Sequence, residues 1–99
     1  MGTFHQGRGE LHGITVVVET AGEEVYVGRF DREEARGILL LDVDVHRPGD
    51  QRSRAEFLER AARFGVWKRH DAVIVPREQV ATIRRLADLP DTEAAASRA

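Results

Sequence analysis

The chain has 99 residues, enough for one domain, because two halves would each be too small to bury a stable core. Its 15 Lys and Arg against 17 Asp and Glu give a formal net charge of −2, which excludes a protein that coats phosphates with a large basic excess. With no cysteine, a disulfide scaffold, a thiolate zinc site and a cysteine nucleophile are also excluded.

Both ends of the chain are predicted to lie outside the folded domain, which we place at residues 10–89. Residues 1–9 contain three glycines and no apolar periodicity, which indicates a flexible arm. Residues 90–99 are small and polar after a proline, which is typical of a disordered tail. No apolar run is long enough to cross a bilayer and no signal peptide is apparent, so we expect a cytoplasmic protein without membrane contact.

Two strands are predicted first, over residues 14–20 and 24–30. The first is rich in β-branched residues, the second alternates, and Ala21-Gly22 forms the turn between them. Gly28 inside the second strand indicates a bulge or bend, which helps a short sheet to curl. The charged residues 31–37 are predicted to be a connection.

A third strand is predicted over residues 38–46, followed by a loop at 47–50 and one helix over about 54–64. Ser53 followed by Glu56 is a capping box that marks the start of the helix. The predicted helix has an apolar stripe that consists of Phe57, Leu58, Ala61 and Ala62. It also has two ion pairs at i,i+4 spacing, Glu56–Arg60 and Glu59–Arg63.

After the helix, Val66 and Trp67 are predicted to pack back onto the domain. A fourth strand over residues 72–75 ends at Pro76. A short fifth strand over residues 80–83 is predicted to continue into a helical turn.

Two blocks of residues follow a known family pattern. The first consists of Leu11, Gly13, Val16, Val18, Gly22, Gly28 and Leu41-Asp42. The second is Val73–Ile83, which ends in two aliphatic residues, Val80 and Ile83, separated by two others. From Leu11 to Ile83 the chain therefore resembles the Sm-like family, also called LSm or Hfq-type. The resemblance implies a mainly β (β-rich α+β) fold: a small, strongly bent, five-stranded barrel with one helix inserted before the fourth strand. It also implies a bacterial-type, non-enzymatic homo-oligomer that forms a ring, a hexamer or heptamer.

The family's RNA-binding members place an Asp and, four residues on, an Asn before the third strand, and an Arg-Gly pair after the fourth. The matching positions here hold Glu34 and Ile38, and then Pro76 and Arg77, so that site is not reproduced residue for residue. Arginine can pair with phosphate or stack on a base. We therefore predict that Arg36, Arg77 and Glu34 contact single-stranded RNA. The alternative is a structural or protein–protein interaction module with no nucleic-acid role.

Asp42, Asp44 and His46 alternate with valines, so a strand would place all three on one face. Such a set can hold a divalent cation or transfer protons. The interpretation we prefer is the solvent-facing side of a half-buried strand, with Val43 and Val45 inward. Accordingly no metal, no cofactor and no catalytic residue is predicted.

Charged residues are concentrated in two regions of the chain. Residues 52–70 carry six basic and two acidic side chains, and Trp67 beside Lys68 and Arg69 could stack on a base. The full basic set is Arg52, Arg54, Arg60, Arg63, Lys68, Arg69, Arg77, Arg84 and Arg85. We favour a solvated helix face, with Trp67 in the core or a subunit interface. An acidic set around the second strand, which we also expect to be solvated, consists of Glu23, Glu24, Asp31, Glu33 and Glu34.

Overall fold

The computed structural model of the chain describes residues 9–89; the predicted arm, apart from Gly9, and the predicted tail lie outside the described residues. The described part contains five strands and one helix. In chain order they are β1 (Thr15–Thr20), β2 (Val25–Glu34), β3 (Gly37–His46), α1 (Arg54–Phe64), β4 (His70–Pro76) and β5 (Val80–Arg85). Short 3₁₀ turns follow β4 at Arg77–Gln79 and β5 at Leu86–Asp88. The predicted mainly β class with one helix between the third and fourth strands is confirmed.

The five strands form one antiparallel sheet in the order β4-β3-β2-β1-β5. The two edge strands, β4 and β5, are consecutive in the chain and are joined only by Arg77–Gln79. Three residues cannot cross the width of a flat five-stranded sheet, because neighbouring strands lie about 4.8 Å apart. The sheet must therefore bend round until its two edges meet at this connection, as in a small barrel.

The predicted connection over residues 31–37 is wrong, because β2 continues through Glu34 and β3 starts at Gly37. Glu33 pairs with Ile38 and Glu34 pairs with Gly37, which leaves Ala35-Arg36 as the turn. Backbone pairing tolerates these charged side chains because only N–H and C=O groups take part in it. β4 likewise starts two residues before its predicted position, and β5 extends two residues beyond its own.

The sheet buries apolar side chains on both faces, and this creates two cores. The interior core of the bent sheet consists of Val16, Val18, Phe30, Ile38, Leu40, Val43, Val45 and Val75. The second core lies under the helix and consists of Val17, Val25, Val27, Phe57, Leu58 and Ala61. Helix α1 thus covers the outer face of the sheet. Because successive side chains of β1 point to opposite faces, this strand contributes to both cores.

An irregularity in the pairing of β2 with β3 explains how the sheet bends. The register shifts between Val27 and Arg29, at Gly28, where a Cβ atom would lie 2.9 Å from Val43 Cγ2. On the facing strand Asp42 has a φ of 54°, a left-handed value that aspartate tolerates better than most residues. The bend that Gly28 predicts is confirmed.

The capping box predicted for the helix is confirmed. Ser53 Oγ accepts a hydrogen bond from the Glu56 N–H at 3.1 Å, and Glu56 Oε1 accepts one from the Ser53 N–H at 2.8 Å. The Glu59–Arg63 pair is present at 3.4 Å. The Glu56–Arg60 pair is not found, because the Glu56 carboxylate reaches back to the cap. No helix within residues 9–89 is long and apolar enough to span a membrane.

Candidate functional site

The structure brings together the three residues predicted to contact RNA, at the end of the sheet where β2, β3, β4 and β5 meet. The Arg77 N–H donates to the Arg36 carbonyl at 3.0 Å, and Arg77 Nη2 donates to the Glu34 carbonyl at 2.7 Å. Arg36 Nη2 lies 3.5 Å from Glu34 Oε1. We call these three residues the Arg77 corner.

A very close approach of two strands holds the Arg77 corner in place. Gly37 pairs with Pro76, and a Cβ atom on Gly37 would lie 2.0 Å from the Val75 carbonyl oxygen. Only glycine fits there, so the turn between β2 and β3 rests directly on the chain that leads into Arg77.

The Arg77 guanidinium donates hydrogen bonds to side-chain and backbone groups of the same chain. Nη1 donates to Glu33 Oε2 at 2.8 Å, and Nε donates to the Ala35 carbonyl at 3.4 Å. Glu33 did not appear among the predicted site residues, since nothing local in the sequence links it to a residue 44 positions away. By contrast the Arg36 side chain is 76% exposed, and its ion-pair partner among residues 9–89 is Glu34. Arg36 is therefore the more available cation of the corner.

Charges at this end of the sheet are nearly balanced. Arg32 lies 3.4 Å from Asp31 and 3.1 Å from Glu34, in addition to the contacts of Arg36 and Arg77. The expectation that the acidic set is merely solvated is wrong for Asp31, Glu33 and Glu34, because each pairs with an arginine. The attraction of this end for a polyanion is consequently modest.

The carboxylates of Asp42 and Asp44 are held by different cations. Asp42 Oδ2 lies 2.7 Å from Arg29 Nη1 and 4.0 Å from Lys68 Nζ. Asp44 is only 5% exposed and contacts the guanidinium groups of Arg52 at 3.9 Å and Arg69 at 3.5 Å. The preferred solvent-facing interpretation is wrong for Asp44, because the residues around α1 cover it, whereas the inward position of the valines is confirmed.

His46 belongs to the same covered face and is also engaged. Its Nε2 lies 2.8 Å from the Arg52 carbonyl, and its ring centroid is 5.4 Å from that of Phe57. Within residues 9–89 no three His, Asp or Glu side chains are grouped so as to hold a metal ion.

A second surface forms around Trp67, which is 47% exposed. The prediction that Trp67 lies in the core is wrong, because its indole is half exposed and surrounded by charge, whereas its alternative place in a subunit interface stays a prediction. The guanidinium carbons of Arg60, Arg69 and Arg52 lie over the indole at 4.1, 4.8 and 5.8 Å from its centroid. Arg60 also lies 5.8 Å from the centroid of Phe64, which is 73% exposed.

We call Arg52, Arg60, Phe64, Trp67 and Arg69 the arginine–aromatic surface. It lies after β3 and before β4, whereas the Arg77 corner lies where β3 begins and β4 ends. Arg52 and Arg69 contact β3 at Asp44, seven residues along the strand from Gly37 at the corner, and the two sites share no residue.

Comparison with known proteins defines the fold. No protein-family model and no curated protein matches the chain by sequence. Among solved structures, the chain is similar to a novel Sm-like archaeal protein from Pyrobaculum aerophilum, with a TM-score of 0.58 and 17% identity over 96% of this chain and 60% of that one. The chain thus spans 60% of the length of that protein.

Two further similar structures are chains of the NatC complex. One comes from the complex bound to CoA, with a TM-score of 0.52 and 20% identity over 92% of both chains. The other comes from the complex bound to Gag peptide and CoA, with a TM-score of 0.51 and 20% identity over 89% of this chain and 96% of that one. The chain has the Sm-like fold, as the sequence resemblance predicted.

Proposed function

We propose that the chain is a non-enzymatic Sm-like module whose copies join edge to edge into a ring of six or seven. The observation that carries this proposal is the pair of unpaired edges: within the described residues β4 pairs only with β3, and β5 pairs only with β1. Both edge strands expose part of their apolar side chains, such as Ile74 and Val80. An unpaired edge invites pairing, and head-to-tail pairing of two different edges closes a ring.

Single-stranded RNA is the ligand we propose for the Arg77 corner. Arg36 extends into solvent beside Arg77, and guanidinium groups both pair with phosphates and stack on bases. A ring repeats the corner around one axis, so several weak contacts add up to useful avidity. The near balance of charge implies weak binding that salt suppresses.

The alternative function is a protein–protein interaction module on the same fold. Two observations support it: Arg77 is already bound to Glu33 and to backbone carbonyls, and two of the similar structures are chains of a protein complex. A non-enzymatic role is supported by the engagement of Asp42, Asp44 and His46 with neighbouring groups of the same chain.

The assembly is tested by mass, using light scattering at micromolar concentration. We expect a species well above the 11.1 kDa of one chain. Ala81→Pro should shift it towards the monomer, because Ala81 is exposed on the edge strand β5 without a register partner in β1, and proline disfavours pairing with a further strand. Ala81→Ser is the matched control. A wild-type chain that stays monodisperse at monomer mass contradicts the ring.

RNA binding is tested by fluorescence anisotropy with labelled single-stranded RNA at two salt concentrations. Arg36→Ala should weaken binding about tenfold, because it removes an exposed cation but not the backbone carbonyl that Arg77 uses. Arg47→Ala removes the same charge at the far end of β3 and should leave binding unchanged. If the wild type does not bind at low salt, the interaction module becomes the better proposal.

A further inference from the structure

We infer that the arginine–aromatic surface docks a separate protein partner that presents an apolar side chain next to a carboxylate. This interaction goes beyond the ring and the RNA site, since the surface lies at the opposite end of β3 from the Arg77 corner. It needs neither the edge strands nor Arg36 and Arg77.

The apolar part of the surface is continuous and open to solvent. Within residues 9–89, Phe64 and Trp67 are the exposed large hydrophobic side chains. The Arg60 guanidinium lies over both rings, 5.8 Å from the Phe64 centroid and 4.1 Å from the Trp67 centroid, and so links them. Exposed aromatic side chains packed with arginine have the composition of a protein–protein hot spot.

The surface carries an excess of positive charge. Arg52 and Arg69 share the one buried carboxylate of Asp44, and Lys68 shares Asp42 with Arg29, so neither carboxylate balances both of its cations. Arg60 has no ion-pair partner among the described residues, and its buried Nε has no hydrogen-bond acceptor. An excess of positive charge beside two aromatic rings is matched by a partner that presents a carboxylate next to an apolar group.

The same observations disfavour nucleic acid at this surface. A polyanion gains affinity from cations that are free to follow its phosphates, whereas Arg52 and Arg69 are both held against the buried Asp44. Three guanidinium groups already lie over the Trp67 indole, which restricts the ring area on which a base can stack.

A second copy of the chain is also a poor occupant. The partly exposed apolar side chains of the edge strands are assigned to the ring, and Phe64 and Trp67 are the exposed large hydrophobic side chains of residues 9–89, so a second copy would offer mainly this same surface. Self-pairing would place the unpaired Arg60 of one copy near that of the other, and like charges repel. A different protein is the better partner.

The chain's single tryptophan makes Trp67 emission a direct reporter of docking. The probe is a short synthetic peptide that alternates leucine and glutamate, titrated against the full chain. We expect a saturable blue shift as the indole loses water. Two control peptides, with glutamine for glutamate or serine for leucine, should each bind far more weakly.

Two variants locate the binding. Arg60→Gln and Phe64→Ala should each weaken peptide binding about tenfold, as expected for loss of a hot-spot contact. Arg63→Gln is the matched control on the same helix, because Arg63 pairs with Glu59 and lies over neither ring. Thermal melting checks that all three variants remain folded.

Three outcomes would overturn the inference: no shift of wild-type emission, equal binding of the glutamine peptide, or peptide binding indifferent to both Arg60→Gln and Phe64→Ala. A saturable emission change with single-stranded RNA that Arg60→Gln abolishes would also overturn it, in favour of a nucleic-acid surface. The ring is tested by light scattering and RNA binding at Arg36 by anisotropy. A negative result in either experiment leaves the interpretation of these peptide titrations unchanged.

Discussion

Arg77 and Glu33 form an ion pair across the end of the sheet, with Nη1 2.8 Å from Oε2, although 44 positions separate them in the chain. Together with donation to the Glu34 carbonyl, this pair fastens the turn between β2 and β3 onto the connection between β4 and β5. Because the Arg77 side chain is 48% exposed, solvent screens the pair, and its main effect is to fix geometry rather than to add stability.

Arg77→Ala should therefore lower the free energy of unfolding by only about 1 kcal/mol, despite the loss of several hydrogen bonds. Urea denaturation measures the change. Arg36→Ala is the comparison, since that side chain is largely exposed and pairs with Glu34, so the stability of this variant should lie within about 0.5 kcal/mol of wild type. Equal losses for both variants would mean that Arg77 does not fasten the corner.

Gly37→Ala should destabilise the chain by about 1–3 kcal/mol, because the new Cβ atom would lie 2.0 Å from the Val75 carbonyl oxygen and backbone must move. Gly22→Ala tests the same change where the nearest atom, at 3.0 Å, belongs to the flexible Glu24 side chain. Chemical denaturation of both variants gives the difference. If Gly37→Ala is as stable as Gly22→Ala, then β3 and β4 do not approach as described.

Phe57→Ala should cost about 3–5 kcal/mol, because this ring is 2% exposed and fills the core between α1 and the sheet. Phe64→Ala removes the same ring from the exposed end of the same helix and should change stability by no more than about 0.5 kcal/mol. Thermal melting followed by circular dichroism separates the two. Similar losses would contradict the position of α1 on the sheet.

Ser53→Ala should lower stability by about 1 kcal/mol, because it removes the hydroxyl oxygen that accepts from the Glu56 N–H. Ser53→Asp keeps an acceptor at the N-cap and should recover most of the loss. The readout is the denaturation midpoint of the three proteins. A rescue that fails would indicate that the hydroxyl acts elsewhere.

Glu56 should make stability depend on pH in the acid range. Hydrogen bonds from the Ser53 backbone N–H, and then from the Ser53 side chain, hold the pKa of the Glu56 carboxyl below its ordinary value, with Arg52 adding to the effect. Because this pKa is lower in the folded than in the unfolded chain, the ionised carboxyl stabilises the folded state at pH values above the unfolded-state pKa. That stabilisation is lost as the pH falls through the folded-state pKa.

The Glu56→Gln variant should therefore lose less stability than the wild type when the pH is lowered below about 4, the range in which glutamate ordinarily titrates. Denaturant melts at several pH values measure the slope for both proteins. Parallel slopes would show that the carboxylate of Glu56 does not support the cap in solution.

Local patterns were sufficient to predict most of the elements. The capping box at Ser53 and Glu56 marks the start of α1, and alternation in β1 marks a strand, because both patterns depend on residues that are neighbours in the chain. The end of β2 was predicted too early, since its charged residues pair through their backbone with β3, and side-chain polarity does not report that pairing.

For the candidate sites, too, the sequence predicted some features and missed others. The family resemblance selected Glu34, Arg36 and Arg77, and they do lie together, but the partner that holds Arg77 was not foreseen. The side chain of Trp67 was predicted to lie in the core or in a subunit interface. Its exposure depends on where α1 ends and how three arginines fold over the indole.

By itself the sequence determined the number and order of the strands, the position of the helix and the bend at Gly28, because hydrophobic period, caps and glycines act over a few residues. Only the tertiary structure decided which charges neutralise each other: Arg77 with Glu33, and Arg69 with Asp44. Coulomb interactions act through space over distances of a few ångströms, and a bent sheet brings to that distance residues that are tens of positions apart in the chain. The single cation left unpaired beside Trp67 is likewise a property of the folded chain.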